Sequence, residues 1–79
     1  MHITTPMQLG AELRNWRKRR GLTQAEAAEN IGLMQKAVSA MEAHAETASV
    51  ERLFMMLAAL DLEFELHDKR EPEANSLDW

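Results

Sequence analysis

No cysteine occurs in the 79-residue chain, so neither a disulfide framework nor a thiolate zinc site can support its fold. The three histidines, His2, His44 and His67, are too scattered to read as a ligand set. No apolar run approaches the roughly 20 residues that a membrane-spanning helix needs, and the N-terminus lacks the basic-then-apolar layout of a signal peptide. The chain therefore reads as cytoplasmic. Also missing are a Ser/His/Asp or Cys/His arrangement and a glycine-rich phosphate loop, and the carboxylates are spread as on a solvated surface. No enzymatic activity, metal or cofactor is expected. A chain this short buries a modest fraction of its surface, which leaves oligomerisation as the remaining source of stability.

What is present is unevenly charged. The net charge is −4, but residues 1–43 carry six Lys/Arg against four acids, whereas residues 44–79 carry three basic groups against nine acids. A basic front half and an acidic back half suit a protein that touches a polyanion with one face and holds the other clear of it. The plainer reading is a solvated surface with chance asymmetry.

Periodicity supplies the architecture. "TPMQ" at residues 5–8 places a hydroxyl N-cap, a proline at N1 and a glutamine at N3, so a helix should open there and run to about Arg20. Leu9, Leu13 and Trp16 form its inward stripe and Gly21 stops it. Thr23 with Glu26 opens a second helix, with Ala25, Ala28 and Ile31 inward and Gly32 as its end. A third is expected from about Gln35 to Ala43 around Val38 and Met41, and a fourth after Ser49 with Leu53, Met56, Leu57 and Leu60 inside. The period then changes: "LEFELH" at residues 62–67 alternates strictly, with Leu62, Phe64 and Leu66 on one side, which is a strand signal. A lone strand needs a partner, and the same segment of a second subunit is the economical one, so a homodimer is expected through Leu62, Phe64 and Leu66. Of two registers considered, the one with Glu65 on the axis sets Glu63 against the partner's His67 and leaves a single like-charge pair; it is preferred over that centred on Phe64. The plainer alternative is that this segment extends the fourth helix or frays. The fold class is thus all-α, a four-to-five-helix domain with one C-terminal strand pairing across a dimer. Residues 69–79, charged and proline-containing, are expected to be a flexible tail.

Thr23 to Glu42 carries the functional signal. Two short helices meeting at a glycine turn need a small residue at their crossing, a left-handed turn residue and a branched aliphatic under the second helix. Ala28, Gly32 and Val38 stand at the fifth, ninth and fifteenth positions of a unit beginning at Gln24. That is a helix-turn-helix pattern, whose second helix presents its N-terminal residues to base edges in the major groove. Residues 1–68 are accordingly read as a helix-turn-helix DNA-binding and dimerisation domain.

"GLTQAEAAENIG" followed by "QKAVSAME" resembles the lambda-repressor-like (Xre-type) helix-turn-helix family, departing from its usual pattern at Ala27 and Met41. The resemblance implies that Gln24 bonds a phosphate and braces Gln35, and that Gln35 reads a base edge, adenine being the bidentate partner of an amide. Lys36 and Ser39 follow on the exposed face, and Met34 would offer only apolar contact, for instance to a thymine methyl. Arg17 and Arg20, with Lys18 and Arg19, are candidates for phosphate contact; helix C-terminal charge complementarity alone would also account for them.

The ends of the chain extend the likeness. "TPMQL" before the first helix, the alternating segment after the fourth, and a tail closing on Leu77, Asp78 and Trp79 are similar to HipB-type antitoxins. That resemblance implies a dimer that represses its own operon on palindromic double-stranded DNA and binds a HipA-type serine/threonine kinase toxin, with Leu77 and Trp79 as toxin-binding anchors. Two alternatives stand beside it: a stand-alone phage-type repressor, for which Trp79 would be dispensable, and a protein-interaction adaptor in which the helix-turn-helix only scaffolds a dimer and binds no DNA.

Overall fold

Four α-helices and a one-turn 3-10 helix make up the regular structure of residues 2–70, the residues described by the computed structural model. In chain order they are α1 (Pro6–Arg19), α2 (Gln24–Asn30), α3 (Gln35–Ala43), the 3-10 turn Ala45–Thr47, and α4 (Val50–Ala59). The helix starts lie where local chemistry demands them. Thr5 and Gln8 form a reciprocal capping box, with the Gln8 N–H donating to Thr5 Oγ1 at 3.2 Å and the Thr5 N–H to Gln8 Oε1 at 3.1 Å. Thr23 and Glu26 repeat the device at 3.1 and 2.9 Å. The Thr23 backbone N–H, then its hydroxyl, hold the Glu26 carboxyl below the usual carboxylate range. A depressed carboxylate contributes stability at neutral pH that is lost as pH falls through the lowered value, so this cap weakens only in acid. Ser49 accepts from the Arg52 N–H at 3.1 Å and opens α4.

Helix ends are set by backbone hand. Gly21 and Gly32 sit at φ 72° and 68°, where a side chain would be strained. Beyond them Leu22 N–H bonds back to the Arg17 carbonyl at 3.1 Å and Leu33 N–H to the Ala28 carbonyl at 2.9 Å, turning the chain sharply. After α4 the same role falls to Asp61 at φ 58°, with Leu62 N–H on the Leu57 carbonyl at 2.8 Å. Aspartate tolerates this region better than most residues because its short side chain is polar.

The core is one cluster: Leu13 of α1, Ala27 and Ala28 of α2, Val38 and Met41 of α3, and Met56, Leu57 and Leu60 at α4, with Leu9, Trp16, Ile31 and Leu53 packed against it. One inward position differs from expectation. Ala25 is exposed and Ala27, at 0% exposure, faces the core in its place. Alanines at 25, 27 and 28 in a seven-residue helix leave the phase of α2 undetermined by hydrophobic pattern, and contact with α3 chooses it.

The expected strand is also not formed. Residues 62–68 adopt no regular secondary structure, and the described residues are all-helical apart from turns and coil. A ladder requires a second strand to receive its N–H groups, and the described part of this chain has none. Leu62 is half-buried, Phe64 meets Phe54 edge to face at 5.3 Å between centroids, and Leu66 is 96% exposed. His67 is half-buried, with Nε2 at 3.4 Å from Glu65 and its ring near that of His2. Of the expected tail, 69–79, only Lys69 and Arg70 are among the described residues, and they form a turn.

Candidate nucleic-acid interface

The N-terminal half of α3 supplies the exposed polar face. Val38 and Met41 turn inward, so Gln35, Lys36 and Ser39 lie together on the outer side of the helix, all exposed. Met34 is the N-cap, 69% exposed, and its thioether makes no capping bond, so it presents an apolar surface beside the polar face. α2 lies against α3 across the Gly32 turn. This is the arrangement in which the second helix enters a major groove while the first lies across the backbone.

Behind Gln35 runs a continuous polar chain. Gln35 Nε2 donates to Gln24 Oε1 at 3.5 Å, and Gln24 Nε2 donates to Glu42 Oε1 at 3.1 Å. Glu42 is gripped in turn by Arg17, with Nε on Oε2 at 2.6 Å and Nη2 on Oε1 at 3.1 Å. Arg17 Nη1 closes the chain on the Leu22 carbonyl at 2.8 Å. The chain joins α1, the α1–α2 turn, α2 and α3 through side chains whose polar atoms are paired, as buried charges require.

Two basic residues expected at phosphates are placed by these contacts. Arg17 is buried at 8% exposure and its fork is spent on Glu42 and Leu22, so the surface position expected for it is corrected to an internal one. Arg20 is exposed, but its Nε donates to the Leu60 carbonyl at 3.0 Å, and its guanidinium lies 5.0 Å from the Trp16 ring centre. Arg19 lies over the same ring at 4.7 Å, and the two cations partly cover an aromatic that is only half-buried. Lys18 and Arg14 are exposed along α1. Leu77 and Trp79, the expected toxin-binding anchors, lie outside the described residues.

Glu42 was missed as a partner of the polar residues Gln24 and Gln35. The sequence carried only part of the signal: Leu9, Leu13 and Arg17 recur every four residues and Glu42 follows Val38 by one turn, but spacing does not say that the two stripes face each other. A cation and an anion on two facing apolar stripes imply each other.

Comparison with known proteins agrees with this geometry. Residues 4–68 match the helix-turn-helix domain family. Antitoxin HipB of Escherichia coli O6:H1 is 33% identical over 82 residues, covering 98% of this chain and 87% of that protein. Antitoxin HipB of Escherichia coli K12 is 29% identical, covering 98% and 93%. Among solved structures, a HipA-HipB-O2-O3 complex superposes with a TM-score of 0.83 at 30% identity, over 87% of this chain and 97% of that one. A HipB-O4 20mer complex gives the same TM-score, identity and coverage. These matches, along nearly the whole length, place the chain in the helix-turn-helix family of HipB antitoxins.

Proposed function

We propose that the protein is a DNA-binding antitoxin that represses its own operon as a homodimer and neutralises a HipA-type serine/threonine kinase toxin. The observation that carries this reading is the outer face of α3, where Gln35, Lys36 and Ser39 are exposed while the chain through Gln24, Glu42 and Arg17 fixes the helix from behind. In this reading Gln35 bonds an adenine edge, Lys36 a guanine or a phosphate, and Ser39 either, with Met34 against a thymine methyl. Gln24, and Arg20 and Lys18 at the end of α1, contact phosphates and set register without choosing sequence. The HipB relatives and the HipA-HipB-O2-O3 complex support both the DNA and the toxin partner. Leu77 and Trp79 are proposed as anchors on the toxin, since a large aromatic has much apolar surface to bury in a pocket.

The test of DNA reading is binding to the palindromic duplex upstream of the protein's own gene, measured against a random duplex across a salt series. Gln35→Ala is expected to weaken specific binding by roughly 1–3 kcal/mol and to relax one base position per half-site. An equal loss on specific and random duplexes would reject base reading by Gln35. For the toxin, full-length protein and a version ending at Asp78 are compared as baits in a lysate of the native host, and retention of a HipA-type kinase is scored. Retention by the full-length form alone assigns Trp79; equal retention by both removes that role.

The dimer rests on the apolar side around residue 64. Ile3, Leu9, Leu13, Trp16, Leu57, Leu62 and Phe64, with Glu12 and Glu63, line a cleft of about 180 Å³, and Phe54 packs on Phe64 beside it. A second copy pairing through residues 62–67 would cover this face and provide the ladder partner. Phe64→Asp is therefore expected to give monomers with weakened operator binding. An unchanged sedimentation coefficient would dispose of this interface.

A further inference from the structure

Glu42 lies on the inner side of α3, with its side chain only 4% exposed, and so stands back from the face that meets DNA. We infer that it nonetheless determines which base Gln35 prefers, by imposing a hydrogen-bond polarity that passes through Gln24. The inference rests on the reading of α3 as the base-contacting helix.

The oxygen and nitrogen of a side-chain amide are nearly the same size, so a glutamine surrounded only by other glutamines has no fixed orientation. An ionised carboxylate, by contrast, only accepts, and a guanidinium only donates. Arg17 holds both oxygens of Glu42, through Nε at 2.6 Å and Nη2 at 3.1 Å, and this confirms Glu42 as an acceptor. Gln24 must therefore turn its Nε2 toward Glu42, as it does at 3.1 Å, and its Oε1 toward Gln35. That oxygen in turn selects the Nε2 of Gln35, at 3.5 Å. What Gln35 has left for a base is one N–H beside its carbonyl oxygen, a donor next to an acceptor. Adenine offers the complement, an acceptor at N7 and a donor at N6. With Gln24 reversed, Gln35 would have to turn its own carbonyl to receive the Gln24 N–H, and the donor and acceptor it shows to the base would exchange places, out of register with adenine N7 and N6. Glu42 is thus a positioning residue for specificity, although it contacts no base.

The experiment compares wild type, Glu42→Gln and the double variant Gln24→Glu with Glu42→Gln on a duplex set in which each half-site base of the upstream palindrome is varied in turn. Wild type is expected to favour adenine over guanine at the Gln35 position on the order of tenfold. Glu42→Gln, which can present either an oxygen or an N–H to Gln24, is expected to lose most of that preference at that position alone. The double variant restores an acceptor-only group beside Gln35 and is expected to recover it. A uniform loss over all duplexes in Glu42→Gln, or an intact adenine preference, would overturn the inference. So would failure of the double variant to recover the preference while its thermal melt shows it folded. If Glu42→Gln does not fold, Gln24→Leu breaks the relay with the ion pair untouched, and retention of the adenine preference there overturns the inference equally. A wild type with no preference at any position would remove the base-reading function itself, which is a distinct result.

Discussion

Arg17→Ala is expected to destabilise the domain by about 3–5 kcal/mol, the largest single-site effect at any polar position in the fold. The reason is not that the ion pair itself contributes so much. Two charges withdrawn from water lose hydration, and a well-made pair roughly recovers that loss. Removing the guanidinium leaves the Glu42 carboxylate in place with its side chain 4% exposed and only the Gln24 amide to satisfy it. The Leu22 carbonyl loses its donor as well, and the volume of a long side chain next to the core is vacated. Set against a total stability of about 5–15 kcal/mol for a typical domain, this is enough to unfold much of the population. Urea unfolding at fixed protein concentration measures it, the concentration being held because dimerisation would couple to the midpoint. A loss below about 1 kcal/mol would mean that water reaches Glu42 and that the pair behaves as a surface one. Arg17→Met combined with Glu42→Leu is expected to lose much less than Arg17→Ala alone, since no uncompensated charge remains.

Gly10→Ala carries the second large effect, and here two principles oppose each other. Gly10 lies within α1, where alanine is intrinsically preferred by about 1 kcal/mol. Packing says the reverse. A Cβ at Gly10 would overlap the carbonyl oxygen of Glu42 and stand 3.1 Å from that of Met41. Both are backbone atoms near the end of α3, so neither can rotate away, and relief requires α1 and α3 to separate. That separation would also stretch the Arg17–Glu42 pair, which bridges the same two helices one face along. Overpacking of this kind costs about 1–3 kcal/mol, and its coupling to the ion pair favours the upper part of that range, so a net loss of about 2 kcal/mol is expected in denaturant or thermal unfolding. A variant more stable than wild type would show that propensity outweighs packing and that the two helices can move apart cheaply.

These two residues also show where a reading of sequence stops. Thr5, Thr23 and Ser49 cap their helices as expected, and Gly21 and Gly32 end theirs, because each of these decisions is made by atoms within four or five residues of one another. The inward positions of α1, α3 and α4 were legible for a similar reason: long apolar side chains at helical spacing have one way to hide. In α2 the side chains were too small and too alike to choose, and Ala27 took the place expected of Ala25. Asp61 at φ 58° escaped notice because an aspartate is an occasional left-handed residue and glycine the usual one. The Gln24–Gln35 brace was legible from the resemblance to known helix-turn-helix proteins; the Arg17–Glu42 pair behind it was not.

The amino-acid sequence by itself determined the four helices, the glycine ends of the first two, the helix-turn-helix unit and the exposed trio Gln35, Lys36 and Ser39, since all of these follow from short-range spacing and cap chemistry. Only the tertiary structure decided that Arg17 belongs to the interior and pairs with a residue 25 positions away, that Arg20 ties itself to the Leu60 carbonyl 40 positions on, and that Gly10 marks the closest approach of α1 to α3. The physical reason is the same in each case. An arginine has the same charge and reach wherever it occurs, a glycine in a helix has no side chain to reveal its neighbour, and what either one does is set by whichever distant segment the packed core brings against it.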